Sequence, residues 1–218
     1  MPFVTNLADK PELDQAEMDR LLKDPKAAFE FRILRATRRL LAAKGLQISV
    51  DEIAEAAEVG RRTVFRHFDS RDELVARALD GSLDRFHAQV TENASIDMPL
   101  DEWLRNIVSA LADSQLRAGA ALWQLAATKD SDLPEPIAKV NKKRRTSRKR
   151  STKEIASRAW SRAGGTGDAP VDVELAFAHA VSAFTVQSLN VDYGAKFEDA
   201  VEVVASQLHS FLTARIAR

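Results

Sequence analysis

Residues 49–68 read SVDEIAEAAEVGRRTVFRHF, and this stretch predicts two short helices joined by a tight turn. A capping box marks the first helix, because the Ser49 hydroxyl can accept a hydrogen bond from a first-turn N–H and Glu52 can bond back. Residues 58–60 interrupt the apolar pattern, and residues 61–68 form the second short helix. Such a pair predicts a helix-turn-helix, whose second helix can enter a DNA major groove.

Helical patterns continue on both sides of this stretch. The apolar spacing over residues 29–44 predicts a preceding helix that stops at Gly45. The sequence Ser70-Arg-Asp-Glu73 repeats the capping box and opens a fourth helix. We therefore expect a helix-turn-helix domain at residues 27–73, preceded by a poorly ordered, mixed-charge arm at residues 1–26.

Beyond residue 95 the apolar residues keep a spacing of three and four, which predicts an all-α fold. A connecting helix is expected to join the first domain to a larger helical domain for ligand binding and dimerisation, residues 74–218. Its helices are predicted to begin after Pro99 and to cover residues 118–127, 137–160, 171–189 and 196–216.

The last two of these helices are the expected dimer interface. The first is apolar or small on almost every face, which in water implies burial on more than one side. A partner subunit would supply the second side, and the final helix carries one apolar stripe that could complete an intersubunit four-helix bundle. We expect a homodimer formed through about residues 171–190 and 196–216.

The amino-acid composition excludes several kinds of functional site for this protein. The 218 residues have no net charge and no cysteine, so disulfides, thiolate metal sites and cysteine nucleophiles are excluded, and DNA binding requires a local basic patch. The four histidines lack ligand spacing, so no metal site is expected, and no cofactor motif is visible. No apolar stretch is long enough for a membrane span and no secretory signal is visible, so a cytoplasmic protein is expected.

The second short helix is expected to face two ways. Val64 and Phe68, four residues apart, point to the core, which leaves three arginines and a phenylalanine facing outward. An exposed aromatic ring beside cations suggests a partner surface. An ordinary helical hairpin with a solvated basic face has the same spacing and stays open as an alternative.

A resemblance extends this argument. The runs ILRATRRLLAAKG (33–45), VDEIAEAA (50–57), RTVFRHF (62–68) and SRDEL (70–74) resemble, in order and spacing, the DNA-binding domain of the TetR family of regulators. The resemblance covers about residues 29–75, and beyond residue 90 only the helical layout is similar. It implies a dimeric regulator that reads a palindromic operator on double-stranded DNA, and no enzymatic activity.

The resemblance also implies roles for single residues. Positions matching Ser49, Thr63, His67 and Arg71 contact phosphates, and those matching Arg61, Arg62 and Phe65 face base edges. Two departures stand out, because Glu58 replaces a turn glycine and Phe65 replaces a tyrosine. The full set of expected DNA-binding residues is Ser49, Arg61, Arg62, Thr63, Phe65, Arg66, His67, Ser70 and Arg71.

A small-molecule effector is expected in the second domain, where it would tilt the fourth helix and lower operator affinity. Bulky or polar residues on the inner helices are the candidates for its pocket, and they suggest a mainly apolar effector, aromatic or lipid-like. These candidates are His87, Trp103, Trp123, Gln124, His179 and Phe184.

The basic run from Lys142 to Arg150 is the remaining strong feature. It lacks apolar side chains, so we expect it to project into solvent or form a loop, with an anionic partner or auxiliary DNA phosphates as alternatives. For the whole chain, two rivals to a ligand-released repressor stay open. One is an all-α enzyme, which the absence of a nucleophile–base pair disfavours, and the other is a helical dimer that only binds proteins.

Overall fold

The computed structural model describes residues 24–80 and 97–217, and within these ranges it contains α-helices and no strand, as the sequence predicts. A short 3-10 turn, Asp130–Asp132, and a π-helical turn, Ser188–Asp192, complete the regular structure. The helices are α1 (Pro25–Lys44), α2 (Val50–Ala56), α3 (Arg61–His67), α4 (described over 71–80), α5 (Leu100–Ala127), α6 (Glu135–Arg162), α7 (Val171–Ala180), α8 (Ala183–Gln187) and α9 (Phe197–Ile216).

Local sequence sets both ends of α1. The Asp24 carboxylate accepts hydrogen bonds from the N–H groups of Lys26 and Ala27, and Pro25 occupies the first helical position. At the other end, Gly45 adopts a positive φ of 79° and donates its N–H to Leu41. The predicted stop is confirmed, whereas the expected arm lies mostly outside the described residues.

The described chain divides into two compact units. Each unit contains two separate segments, whereas the sequence predicts a single boundary at residue 73. The first unit contains residues 24–80 together with 117–141, and the second contains 97–116 together with 142–217. Residues 117–141 join the first unit because their apolar side chains enter its core. That core includes Ile33, Leu41, Ile53, Val64, Phe68, Leu74, Ala121, Leu125 and Ile137.

Gly119 allows α5 to approach α1 within the first unit. It has φ 57° and ψ −143°, a conformation almost restricted to glycine, and it separates the predicted 118–127 helix from the preceding part of α5. A Cβ at this position would lie 2.2 Å from the Ala42 carbonyl oxygen. Nearby, the Leu46 N–H donates to the Gln124 side chain at 2.6 Å. These contacts explain why residues 117–141 pack with the N-terminal helices.

The second unit has a core of its own, built from α5, α6, α7 and α9. It is centred on large apolar side chains that are almost completely buried. They include Trp103, Leu104, Ile107, Ile155, Val173, Phe177, Leu208 and Leu212.

The predicted helix over residues 171–189 is wrong in its length. Helix α7 ends at Ala180, and Ser182 then caps α8 by accepting a hydrogen bond from the Phe184 N–H at 3.3 Å. The physical reason is tertiary, since the side-chain amide of Gln115 donates to the Val181 carbonyl at 2.8 Å. The spacing of apolar residues alone does not predict this break between α7 and α8.

The prediction that the basic run projects into solvent is only partly correct. It lies inside α6, which buries the small polar side chains of Asn141, Ser147 and Thr152. Between them, Arg148 donates to the Ala178 carbonyl at 2.6 Å, and burial lowers the pKa of this arginine. Small polar residues permit close helix packing, so this stretch of α6 is partly buried although it lacks large apolar residues.

None of the helices in the described part of the chain combines the length and apolar composition that crossing a membrane requires. The same residues contain no cluster of three or more histidine or acidic side chains positioned to hold a metal ion.

Candidate nucleic-acid interface

The start of α2 carries the predicted capping box. The Ser49 Oγ accepts from the Glu52 N–H at 3.2 Å, and the Ser49 N–H donates to the Glu52 carboxylate at 2.7 Å. Lys44, at the end of α1, donates to the same carboxylate at 2.6 Å. Hydrogen bonding from Lys44, and then from Ser49, lowers the pKa of Glu52 to about 2. The carboxylate therefore stays ionised and ties the end of α1 to the start of α2.

The turn between α2 and α3 is built around a non-glycine residue with positive φ. Glu58 has φ 54°, in the left-handed region that glycine occupies most easily. Arg32 of α1 donates to the Ala57 carbonyl at 2.8 Å and approaches the Glu58 carbonyl at 3.4 Å. The left-handed turn is thus retained without glycine, and Arg32 is a supporting residue that the sequence analysis did not identify.

Helix α3 buries one face and exposes the other, as its spacing predicts. Val64 and Phe68 are each only 1% exposed. The opposite face presents Arg61, Arg62, Phe65 and Arg66 to solvent. This face concentrates three cations around one aromatic ring.

The arginines on this face differ in their surroundings. Arg61 forms a two-oxygen ion pair with Asp51 at 2.7 and 2.8 Å, and its guanidinium lies 5.5 Å from the centre of the Phe65 ring. Arg62 and Arg66 have no ion pair with any described residue. Arg61 is therefore already oriented by the protein, whereas the other two cations are available to an external anion.

Arg71 occupies a different place from the one that the resemblance implies. Its guanidinium donates to the carbonyls of Ile48, at 2.8 Å, and of Leu46, and it pairs with Asp72 at 2.6 Å. These bonds join the start of α4 to the loop before α2. Its donors therefore have a structural role in this conformation, and the phosphate contact of Arg71 stays a prediction.

His67 also faces inward. Its side chain is 5% exposed and stacks on Phe29 with ring centres 6.3 Å apart, while Nδ1 lies 3.5 Å from a Glu30 carboxylate oxygen. Glu30 in turn accepts from Arg77 at 3.1 Å. The last turn of α3 thus directs this imidazole toward α1, and the phosphate contact of His67 stays a prediction.

The remaining expected DNA residues lie at helix starts. Ser70 is exposed, and its Oγ accepts from the Glu73 N–H at 3.1 Å, which confirms a side-chain cap on α4. Ser49 caps α2 and also donates its hydroxyl to Glu52 at 2.9 Å. Thr63 is half-buried in the first turn of α3.

The structure does not bring the expected ligand residues together. Trp103 is fully buried in the second unit beneath the Arg162 guanidinium, whereas His179 and Phe184 are exposed. Trp123 and Gln124 belong to the first unit. The sixth candidate, His87, lies outside the described residues.

The second unit instead contains a small cleft of about 20 Å³, room for about one water molecule, that none of these six residues lines. Its walls come from α5, from the end of α7 and the π-helical turn, and from the first half of α9. Gln115 is the buried polar side chain of its α5 wall. A sequence signal for it exists, because this glutamine continues the apolar stripe of Val108, Leu111 and Ala112 on α5.

Comparison with known proteins agrees with this geometry. Residues 33–78 match the model of the family described as bacterial regulatory proteins, tetR family. The matched residues include α2, α3 and the whole surface of arginines around Phe65. None of the curated protein sequences compared with the chain is significantly similar to it.

Solved structures are similar over nearly the whole chain. A transcriptional regulator from Pseudomonas aeruginosa is 18% identical with a TM-score of 0.64, covering 89% of this chain and 95% of its own. A tetR-family transcriptional regulator from Streptomyces coelicolor is 16% identical with a TM-score of 0.64, covering 86% and 83%. A TetR-like regulator from Rhodococcus is 17% identical with a TM-score of 0.59, covering 85% and 96%. At these identities, the structures show a shared fold.

Proposed function

We propose that the chain is a DNA-binding regulator of transcription, and more narrowly a repressor released by a small molecule, because residues 33–78 match the tetR-family model and the chain shares the fold of TetR-type regulators. The same match supports a regulatory role rather than an enzymatic one. One observation carries the proposal, namely the exposed face of α3 with its three arginines and Phe65, opposite a face sealed into the core.

In the proposed complex, α3 lies in the major groove. Arg62 and Arg66 supply cations without protein partners, Arg61 can exchange Asp51 for a guanine edge, and Phe65 offers an apolar surface to a thymine methyl. Ser49, Thr63 and Ser70 lie at helix starts, where hydroxyls and N–H groups bind phosphate.

We further propose a two-fold dimer formed through the C-terminal segment. Several large apolar side chains of this segment remain exposed within one protomer, which favours a partner surface. They are Val171, Leu175, Phe184, Val191, Tyr193 and Val203. Two recognition helices would then read a palindrome whose half-sites are spaced by about 34–36 Å along the duplex.

Band-shift titrations on promoter-proximal DNA and on random DNA test the proposed function. Arg62→Ala is expected to weaken specific binding by about 1–3 kcal/mol, with a smaller effect on random DNA. Lys149→Ala, which removes an exposed cation of α6, is the matched control and should leave both affinities unchanged.

Three results would contradict parts of this proposal. Failure of the wild-type protein to prefer any promoter-proximal sequence would overturn the DNA-reading function. Equal losses for Arg62→Ala on both DNAs would remove Arg62 from the base contacts. A smaller salt dependence in Lys149→Ala would show instead that the basic run of α6 contacts phosphates.

A further inference from the structure

Asp51 of α2 holds the first arginine of α3 by one nitrogen atom. Both carboxylate oxygens of Asp51 accept from the Nη1 of Arg61, at 2.8 and 2.7 Å. The Nε and Nη2 of Arg61 have no hydrogen bond to any described residue. In a guanidinium group these two nitrogens form one of the edges that present two parallel donors. The ion pair therefore fixes the arginine and leaves a complete donor edge open.

This ion pair lies on the surface and adds little to the stability of the fold. The Arg61 side chain is 58% exposed and the Asp51 side chain is 68% exposed. Water and salt weaken ion pairs that are exposed to this degree. The Phe65 ring, whose centre is 5.5 Å from the Arg61 guanidinium, is exposed on the same face of α3. The consequence of the pair is therefore expected at the proposed DNA-binding face and not in the core.

The pair has different effects on the binding of phosphates and of bases. A phosphate attracts an arginine mainly through charge, and each neutralised phosphate releases counterions from the duplex. Arg61 and Asp51 together carry no net charge, so the pair attracts a phosphate only weakly. A guanine edge is neutral, and an arginine binds it through two parallel hydrogen bonds to O6 and N7. The open Nε–Nη2 edge can make these bonds while Asp51 still holds Nη1.

The other two arginines on this face of α3 lack such a restraint. Arg62 and Arg66 are exposed and have no ion pair with any described residue. Their charge is available to any external anion, phosphates included. The ion pair with Asp51 thus distinguishes Arg61 from two neighbours of the same residue type.

We infer that Asp51 is a specificity-determining residue, which withholds the charge of Arg61 from phosphates and leaves the Nε–Nη2 edge of Arg61 for a guanine. Without the Asp51 carboxylate, Arg61 contacts phosphates on DNA of any sequence. Only the choice of guanine rests on the proposed function, which places α3 in the major groove. The restraint on Arg61 is measurable on random DNA and needs no operator.

Asp51→Asn removes the restraint with little change in side-chain size. Fluorescence-anisotropy titrations of the full-length protein, over a range of salt concentrations, compare random DNA with a selectively bound promoter-proximal fragment. Affinity for random DNA should rise by about threefold to fivefold, and its salt dependence should steepen by about one released counterion. Affinity for the selected fragment should change by less than about twofold, so the ratio of the two affinities should fall.

Glu55→Gln is the matched control. Glu55 lies one helical turn after Asp51 on α2, is exposed and has no ion pair with any described residue. Its neutralisation removes the same charge without releasing an arginine, so the affinity ratio and the salt dependence should stay unchanged. In an Arg61→Ala background, Asp51→Asn should have no more effect than Glu55→Gln. Far-UV circular dichroism monitors folding, and Asp51→Ser replaces Asp51→Asn if the latter does not fold.

Three results would overturn the inference. Equal effects of Asp51→Asn and Glu55→Gln would show that only the overall charge matters. Weaker binding of the selected fragment, with unchanged binding of random DNA, would show that Asp51 assists the base contact and does not restrain Arg61. An effect of Asp51→Asn that persists in the Arg61→Ala background would show that Asp51 acts through another group.

Failure of the proposed function gives a different result. Wild-type protein that binds random DNA without preferring any promoter-proximal sequence would overturn DNA reading, while a steeper salt dependence of Asp51→Asn on that DNA would still support the restraint on Arg61. Sequence-selective binding by the wild-type protein, together with equal effects of Asp51→Asn and Glu55→Gln, would overturn only the role of Asp51.

Discussion

Helices α2 and α4 of the first unit begin in a different way from α7 and α9 of the second. Ser49 and Ser70 cap the first pair by accepting hydrogen bonds from N–H groups three residues later. Pro170 and Lys196 precede the second pair and offer no side-chain cap. Local sequence therefore decides where these helices begin in the DNA-facing region. In the C-terminal region, contacts between residues distant in sequence have a larger part in setting the helix boundaries.

The two regions also differ in what they leave exposed. On α3 itself, Phe65 is the exposed large apolar side chain, and Arg61, Arg62 and Arg66 lie on the same face. The C-terminal segment exposes several, with Val171 at 70% and Tyr193 at 79%. The first surface suits a polyanion and the second an apolar partner. Substitutions on the first should therefore affect DNA binding, and substitutions on the second should affect dimerisation.

The largest difference in stability is expected between alanine substitutions at two glycines, one in each unit. Gly119→Ala places a Cβ against the Ala42 carbonyl in a backbone conformation that alanine avoids, so it should destabilise the protein by about 3 kcal/mol. Gly167→Ala is the control, because Gly167 also has a positive φ, of 70°, but open space around it. It should cost about 1 kcal/mol. Urea denaturation measures both, and equal losses would show that packing at Gly119 contributes nothing.

A charge in the exposed apolar segment should separate the protomers. Leu175→Glu, at a position 63% exposed in the single chain, is expected to weaken dimerisation by about 2 kcal/mol or more. Phe65→Glu, a similar change on α3, should leave the oligomeric state unchanged and abolish DNA binding. Sedimentation equilibrium measures the dissociation constant. An unaffected dimer in Leu175→Glu would place the interface elsewhere.

Restoring a glycine in the turn before α3 should stabilise the first unit. Glu58 has φ 54°, so Glu58→Gly should raise the free energy of unfolding by about 1 kcal/mol. The backbone contacts of Arg32 to this turn remain available in the variant. Glu55→Gly, in the regular part of α2, is the control and should destabilise by about 1 kcal/mol. A loss of stability in Glu58→Gly would show that the glutamate side chain supports the turn.

The smallest expected effect on stability is the pH dependence that comes from Glu52 in the capping box. The pKa of Glu52 is about 2, below its ordinary value of 4.5, so ionisation of this group favours the folded state. Its contribution is fully present above about pH 4.5 and is lost as the pH falls toward 2. NMR titration of the Glu52 carboxyl carbon should therefore give a midpoint near 2. A midpoint near 4.5 would mean that Lys44 and Ser49 do not hold the carboxylate in solution.

Side-chain orientation in the first unit was only partly predictable. The outward and inward faces of α3 follow from helical spacing, so Val64 and Phe65 were assigned to the correct sides. His67 and Arg71 were not, because the inward turn of one depends on Phe29 and Glu30, and the bonds of the other depend on the loop at residues 46–48. A sequence resemblance aligns residues with family positions, but it does not predict which residues each side chain contacts in this protein.

By itself, the sequence determined the all-α class, the helix-turn-helix with its capped starts, the stop at Gly45 and the exposed arginines of α3. Each of these depends on residues within about one helical turn of one another. Only the tertiary structure decided that residues 117–141 pack with the first unit, that α7 ends at Ala180 and that Gln115 faces a cleft. These features depend on pairs such as Gln115 and Val181, 66 residues apart, which no local pattern records.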